Sequence, residues 1–140
     1  YDLGQSQFTV LGPVGDYADE LNDWSVGIRL TDGNHSFVMC GDAETEAEED
    51  IARSGLNLSA DVLKSGHHGS RTSSSPEFLE AVSPSWAVIS CGKGNSYGHP
   101  HEETLKKYAE HRIQVLRTDE KGTIIASSSP EGLTWTYTKK

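Results

Sequence analysis

Basic residues are scarce: 12 Lys and Arg stand against 21 Asp and Glu, a formal net charge of −9 with histidine neutral. A protein that holds nucleic acid by a broad surface needs clustered cations for the phosphates, so that class is excluded and any action on DNA must be local. Long apolar runs are missing too. Nothing approaches the ~20 residues that span a bilayer and no charged-then-apolar leader resembles a signal peptide, so the chain itself is expected to be soluble. There are only two cysteines, Cys40 and Cys91. Each sits in an apolar stretch (FVMCGD, WAVISCG) where a small buried thiol is the expected role, and a disulfide would require the two strand ends to lie side by side. Repeats, coiled-coil heptads and low-complexity tails are absent. What remains is a chain of 140 residues with ordinary globular composition, long enough for a single domain over residues 1–140 with its own core. The start at Tyr1, running at once into strand-like residues, suggests a piece of a longer protein.

Local patterns give the order of elements. Gln7 to Leu11 alternates before Gly12-Pro13 and reads as a strand; Val14 to Asp23 is polar and acidic and reads as a surface loop. Ser25 to Thr31 and Ser36 to Cys40 flank Asp32-Gly33-Asn34, residues that tolerate positive φ, so an antiparallel hairpin is expected. Ala47 and Ile51 lie four apart in Glu44 to Ser54, an amphipathic helix stopped by Gly55. Asp61 to Lys64 is a short strand that opens into Gly66-His67-His68-Gly69-Ser70. A helix follows with Ser75 as N-cap and Pro76 in its first turn, its apolar face made by Phe78, Leu79 and Val82. Trp86 to Cys91 reads as a buried strand before a Gly-rich loop, GKGNSYGHPH. Glu102 to His111 reads as a helix with Leu105, Tyr108 and Ala109 inward, and Ile113 to Leu116 as a strand. Thr123 to Ala126 and Leu133 to Tyr137 form a last β pair around Pro130-Glu131-Gly132. Antiparallel strands first, then strand-helix alternation, give an α/β fold: a mixed sheet flanked by helices.

The unusual residues cluster by position. Asp42, His67, His68, His99 and His101 all lie just beyond a strand's C-terminal end or in the loop after it, where ligands gather in open α/β sheets. Asp42 follows a glycine, so its carboxylate is either a sheet-edge ligand or the N-cap of the adjoining helix. Neutral imidazole is a common metal ligand, and two adjacent histidines on a turn cannot easily both bind one ion; one binds, the other orients it, contacts substrate or moves a proton. His99 and His101 bracket Pro100, a spacing that suits either chelation or capping of the next helix. Lys64, Arg71 and Lys93 lie beside the histidine loops and offer counter-charge to a phosphate. Ser70 offers a serine nucleophile with histidine as base, but no nucleophile-elbow motif surrounds it. The acidic run Glu44 to Asp50 reads as a solvated helix face, the other loop serines as loop formers, and His35 and His111 as surface residues.

The strings GDAETEAEEDIARSG, ADVLKSGHHGSRTSSSPEFLEAVSPSWAVISCGKGNSYGHPH and VLRTDEKGTI, with NDWSVGIRL before them, closely resemble the C-terminal metallo-β-lactamase-like domain of ComEC-type competence proteins. The resemblance implies an αββα sandwich binding one or two divalent ions, Zn²⁺ or Mn²⁺, that activate water to cleave an ester or phosphodiester bond. It implies Asp42 as the bridging carboxylate. The GHHG segment places a further ligand at His67, with His68 as second candidate; His68, His99 and His101 are the candidate catalytic groups, and Lys64, Ser70, Arg71 and Lys93 the candidate substrate contacts. The partners implied are single-stranded DNA during uptake and the membrane-channel portion of a bacterial integral membrane protein, with this domain on the extracytoplasmic side. One departure is large. The defining His-x-His-x-Asp-His motif of the first half of such domains is nowhere in the chain, so these residues are expected to be the C-terminal half of the sandwich, inactive and weak in metal binding when isolated. The competing expectations are a non-catalytic binding or scaffolding module of a DNA-uptake protein, and a small-molecule metallo-hydrolase.

Overall fold

A computed structural model describes residues 1–139. Seven strands form one sheet in the order of the sequence: β1 (Asp2–Leu3), β2 (Ser6–Gly12), β3 (Gly27–Asp32), β4 (His35–Met39), β5 (Val62–Lys64), β6 (Trp86–Ile89) and β7 (Gln114–Arg117). The first four pair antiparallel, and β4 through β7 pair parallel. The crossovers carry α1 (Thr45–Arg53), α2 (Pro76–Val82) and α3 (Glu102–Glu110); α4 (Thr118–Lys121) leads to a separate hairpin of β8 (Ile124–Ser129) and β9 (Gly132–Tyr137). This is the mixed α/β sheet flanked by helices that the order of patterns predicts. Because β4, β5, β6 and β7 run the same way, their C-terminal ends and the loops that follow share one edge of the sheet.

Period-two alternation divides the strands between two faces. Val38, Leu63, Ala87 and Ile89 join Ala47, Ile51, Phe78, Leu79, Val82 and Tyr108 from the three crossover helices in one buried core. Ser75 caps α2 as expected, its side chain accepting from the Phe78 N–H, with Pro76 in the first turn. On the opposite face the register lines up Phe8, Leu30, Phe37, Val62 and Trp86 in one row, and Val10, Ile28, Met39, Lys64 and Val88 in the next. The β8–β9 hairpin covers part of this second face, with Trp135 tilted against Trp86 at 5.3 Å between ring centroids. Over β2 and β3 the face is uncovered, and Val10 is 41% exposed.

Several expectations need correction. The segment Val14 to Asp23 is not simply a surface loop: Tyr17 and Asp23 are buried, and a 3-10 turn spans Leu21–Trp24. Tyr17 is drawn in because its ring meets Trp24 edge-on, while the Asp23 carboxylate accepts the Glu44 N–H at 2.7 Å. Ala109 faces solvent, and Thr104 joins Tyr108 on the inward face of α3. His35 is only 16% exposed in its side chain and lies 3.9 Å from Asp61. Cys40 and Cys91 are both free thiols and Cys40 is buried, as expected, but Cys91 is only half-buried. The acidic run is not uniformly solvated. Glu48 is 1% exposed, held inward because it shares a helix face with Ala47 and Ile51. Ser73, Ser74 and Ser75 are buried as well, so the serine-rich loop is interior structure.

Candidate functional site

Three loops meet at the C-terminal edge of the parallel strands. The first leaves β4 through Gly41, whose positive φ of 57° turns the chain. A Cβ there would stand 3.0 Å from the Ser25 side chain, and the Ser25 hydroxyl accepts the Asp42 N–H at 3.1 Å. Asp42 does not cap α1, correcting the capping alternative: the N-cap position is Glu44, whose N–H is satisfied by Asp23. The Asp42 carboxylate is left at the sheet edge.

The second loop is the GHHG turn. His67 and His68 both adopt left-handed backbone, with φ of 44° and 55°, a conformation costly for residues with a Cβ. Tertiary bonds hold it: the His67 N–H donates to the Gly41 carbonyl at 3.1 Å, and the Ser65 N–H to the Val88 carbonyl at 2.9 Å. The two imidazoles then diverge. His67 Nδ1 lies 3.1 Å from Glu44 Oε1. His68 Nδ1 lies 2.8 Å from the Ser90 carbonyl, which can only accept, so Nδ1 carries the proton. His68 Nε2, the nitrogen not taken by the carbonyl, faces Asp42 Oδ1 at 3.6 Å. A carbonyl on one imidazole nitrogen with a carboxylate beside the other is how proteins fix histidine for a cation. Asp42 and His68 suit a divalent ion in donor chemistry, as an incomplete set: among the described residues no three His, Cys, Asp or Glu side chains converge as a metal site.

The third loop, after β6, carries His99 and His101 around a cis His99–Pro100 peptide. His101 occupies the N-cap position of α3 without a side-chain cap bond. Its Nδ1 accepts the Arg71 N–H at 3.0 Å, which leaves Nε2–H to donate to the Tyr97 carbonyl at 3.1 Å. His101 thus ties the second loop to the third, as does its own N–H donated to the Gly69 carbonyl. The His99 ring meets His67 at 5.7 Å and His101 at 4.8 Å, both edge-on, and stacks on Tyr97 at 5.6 Å. Burial, then the neighbouring imidazoles of His101, His67 and His68, lower the pKa of His99 from the ordinary histidine value, which favours its neutral form. Asn95 staples the loop: its Nδ2 donates to the His99 carbonyl at 2.6 Å and its Oδ1 accepts the His99 N–H at 2.9 Å.

Together the loops enclose a cleft of about 380 Å³ lined by Asp42, His67, His68, Cys91, Gly92, Asn95, Tyr97 and His99. Four of the five histidine and aspartate residues singled out from sequence line it, and His101 braces it from behind. The cations are dispersed. Lys64 lies on the second sheet face, half-buried, its ammonium donating to the Ser65 carbonyl at 2.8 Å; burial lowers its pKa, against the pull of Asp42 and Cys91. Arg71 is exposed, and Lys93 lines a neighbouring groove with Thr118 and Asp119. Ser70 is buried, its hydroxyl 3.0 Å from that of Thr72 and its carbonyl accepting the Thr104 hydroxyl.

A polar core beneath the turn was not foreseen. Glu48 accepts the Ser74 N–H at 2.8 Å and the Ser75 N–H at 2.7 Å. Burial pushes its carboxyl up to about 7, against those bonds and the Lys107 charge. Tyr108 donates to Ser65 at 2.6 Å and lies 2.7 Å from the Ser74 hydroxyl. Lys107 donates to the Ser73 carbonyl and Ser73 to that of Ala43. The signal for Glu48 was its helical spacing to Ala47 and Ile51; for Ser65 and Ser74 the sequence holds none.

No protein-family model matches the chain. Over 118 residues it is 42% identical to ComE operon protein 3 of Bacillus subtilis, covering 84% of this chain and 15% of that protein. It is 43% identical over 104 residues to competence protein ComA of Neisseria gonorrhoeae, covering 74% of the chain and 15% of the relative. Recombination protein 2 of Haemophilus influenzae is 34% identical over 117 residues, 84% of the chain and again 15% of the relative. The chain therefore spans a small part of the length of the curated relatives it matches. Relatives bearing these names support a competence-protein family for this chain.

Proposed function

We propose that the chain is the C-terminal part of a metallo-β-lactamase-type hydrolase domain, belonging to a membrane protein of DNA uptake and acting on the phosphodiester bonds of single-stranded DNA. The observation that carries this reading is the Asp42–His68 pair, with Nε2 and Oδ1 3.6 Å apart and the other imidazole nitrogen held by a backbone carbonyl. A divalent cation bound there would lower the pKa of a water and stabilise charge developing on phosphoryl oxygens. Asp42 and His68 would hold the cation, and the remaining donors would come from elsewhere in the parent. His67 stays at the cleft wall as a further candidate ligand. His99, in the lining of the cleft, can take or return a proton. His101 positions His99 through the Arg71 and Tyr97 contacts. The uncovered apolar face over β2 and β3 is where the other sheet of an αββα sandwich would lie.

The test is cleavage of single-stranded DNA by the complete parent protein with Mn²⁺ or Zn²⁺, compared with Asp42→Ala and His68→Ala. Each substitution is expected to lower the rate by at least about a hundredfold, beyond what loss of a merely supporting partner causes. Folded parent protein that cleaves with neither metal overturns the reading.

A further inference from the structure

We propose that Tyr97 is a stacking platform for one nucleobase next to the bond held at Asp42 and His68, so that the cleft selects a strand whose bases can leave the helical stack. This rests on reading the cleft as a phosphodiester site. Tyr97 is 77% exposed, yet it lines the same cleft as Asp42 and His68. A ring of that size contributes to folding by being buried, and this one is not. It is nevertheless held. His99 stacks beneath it at 5.6 Å with 22° between the planes, His101 donates to its carbonyl, and Asn95 fixes the loop on both sides of His99. One face of the ring rests on imidazole and the other is offered to solvent, which leaves a flat, oriented, apolar surface at the lip of the site.

The charge of the molecule explains why such a surface is needed. With a net charge of −9 and its cations dispersed, the chain cannot hold a strand through many phosphates. Base stacking on an aromatic ring is independent of that charge and tolerant of sequence, because every base has a π-face. A base inside a duplex already stacks on both sides and cannot present a face. The cleft of about 380 Å³ is at the small end for ligand sites and suits one nucleotide unit.

The experiment uses the complete parent protein, without added divalent metal so that the strand is not cut, and a short single-stranded oligonucleotide containing 2-aminopurine, whose fluorescence is quenched on stacking. Quenching is expected with the wild type and with Tyr97→Phe, and about tenfold weaker binding with Tyr97→Ala. An abasic strand with the same phosphates should bind the wild type as weakly as the base-bearing strand binds Tyr97→Ala. The part of the affinity that Tyr97→Ala removes should change little with salt, because stacking releases no counterions. A mononucleotide arm separates a free nucleotide from a strand: binding as tight as the oligonucleotide's would overturn selection of a strand. Equal binding of base-bearing and abasic strands, undiminished binding by Tyr97→Ala, equal binding of duplex, or no binding overturns the stacking role. Failure of the hydrolase reading looks different: the parent protein cleaves nothing, while Tyr97-dependent quenching persists.

Discussion

Glu48 has both carboxylate oxygens committed to the backbone of the serine loop, in a site almost closed to water. Its folded-state pKa of about 7 lies above the ordinary 4.5. Between those values the native state binds more proton than the unfolded chain, so the Glu48 contribution is fully present below about pH 4.5 and is lost as pH rises through about 7. The difference is about 3 kcal/mol by the conversion of pKa to free energy. Glu48→Gln removes the titration and turns an amide N–H toward a backbone donor. Urea unfolding of the two proteins at pH 4.5 and pH 8 should show the wild type losing ground to the variant as pH rises. A difference that stays constant would assign Glu48 an ordinary pKa. At this scale the sequence is uneven in what it reveals. Asp42 and the four site histidines are legible because polar residues next to glycine at strand ends have few structural roles. Which histidine turns toward Asp42 is not legible, because two left-handed residues aim the rings and bonds from Gly41 and Ser90 set them. Tyr97 passes unnoticed because one aromatic in a loop has no spacing to mark it.

Among the elements, the GHHG turn and the GHPH loop approach so closely that Gly69 has no room for a side chain. Its φ is 85°, and a Cβ would lie 2.7 Å from Pro100 Cβ and 3.1 Å from Pro100 Cα. Gly69→Ala must push the two loops apart. The expected cost is about 1–3 kcal/mol in urea unfolding, from backbone strain and overpacking together. Displacement of the His99 and His101 rings should accompany it, read from their imidazole NMR shifts. Unchanged stability and unchanged shifts would show that the loops are not in contact. The longer elements follow from pattern: α1 from its i, i+4 apolar pair, α2 from its cap, and β3–β4 from the Asp-Gly-Asn turn. β1, α4 and the Leu21–Trp24 turn are too short to establish a period, and they form because neighbours hold them. Ala109 fails for a related reason, since the inward face of α3 is chosen by the buried Tyr108 hydroxyl network rather than by hydrophobicity alone.

For the molecule as a whole, the division of labour between the sheet faces matters most. One face is closed by three helices, and the other carries an equally apolar pair of rows of which the β8–β9 hairpin covers only one side. Trp135→Ala should cost about 2 kcal/mol, below the about 3–5 kcal/mol for a fully buried large aromatic because Trp135 is only half-buried, and should expose Phe37, Met39 and Val88 to a hydrophobic dye. Denaturation and dye fluorescence that both match the wild type would mean the hairpin does not seal that face. The mixture of parallel and antiparallel pairing was legible from the order of patterns, whereas the order of strands across the sheet was not. The second apolar face was harder to see, because short strands buried on both sides lose the alternation that marks a one-sided sheet. The uncovered rows over β2 and β3 have a colloidal consequence. Exposed hydrocarbon there draws copies together, while the surplus of negative charge opposes their approach by a repulsion that salt screens. Raising the ionic strength should therefore promote association of copies through this face.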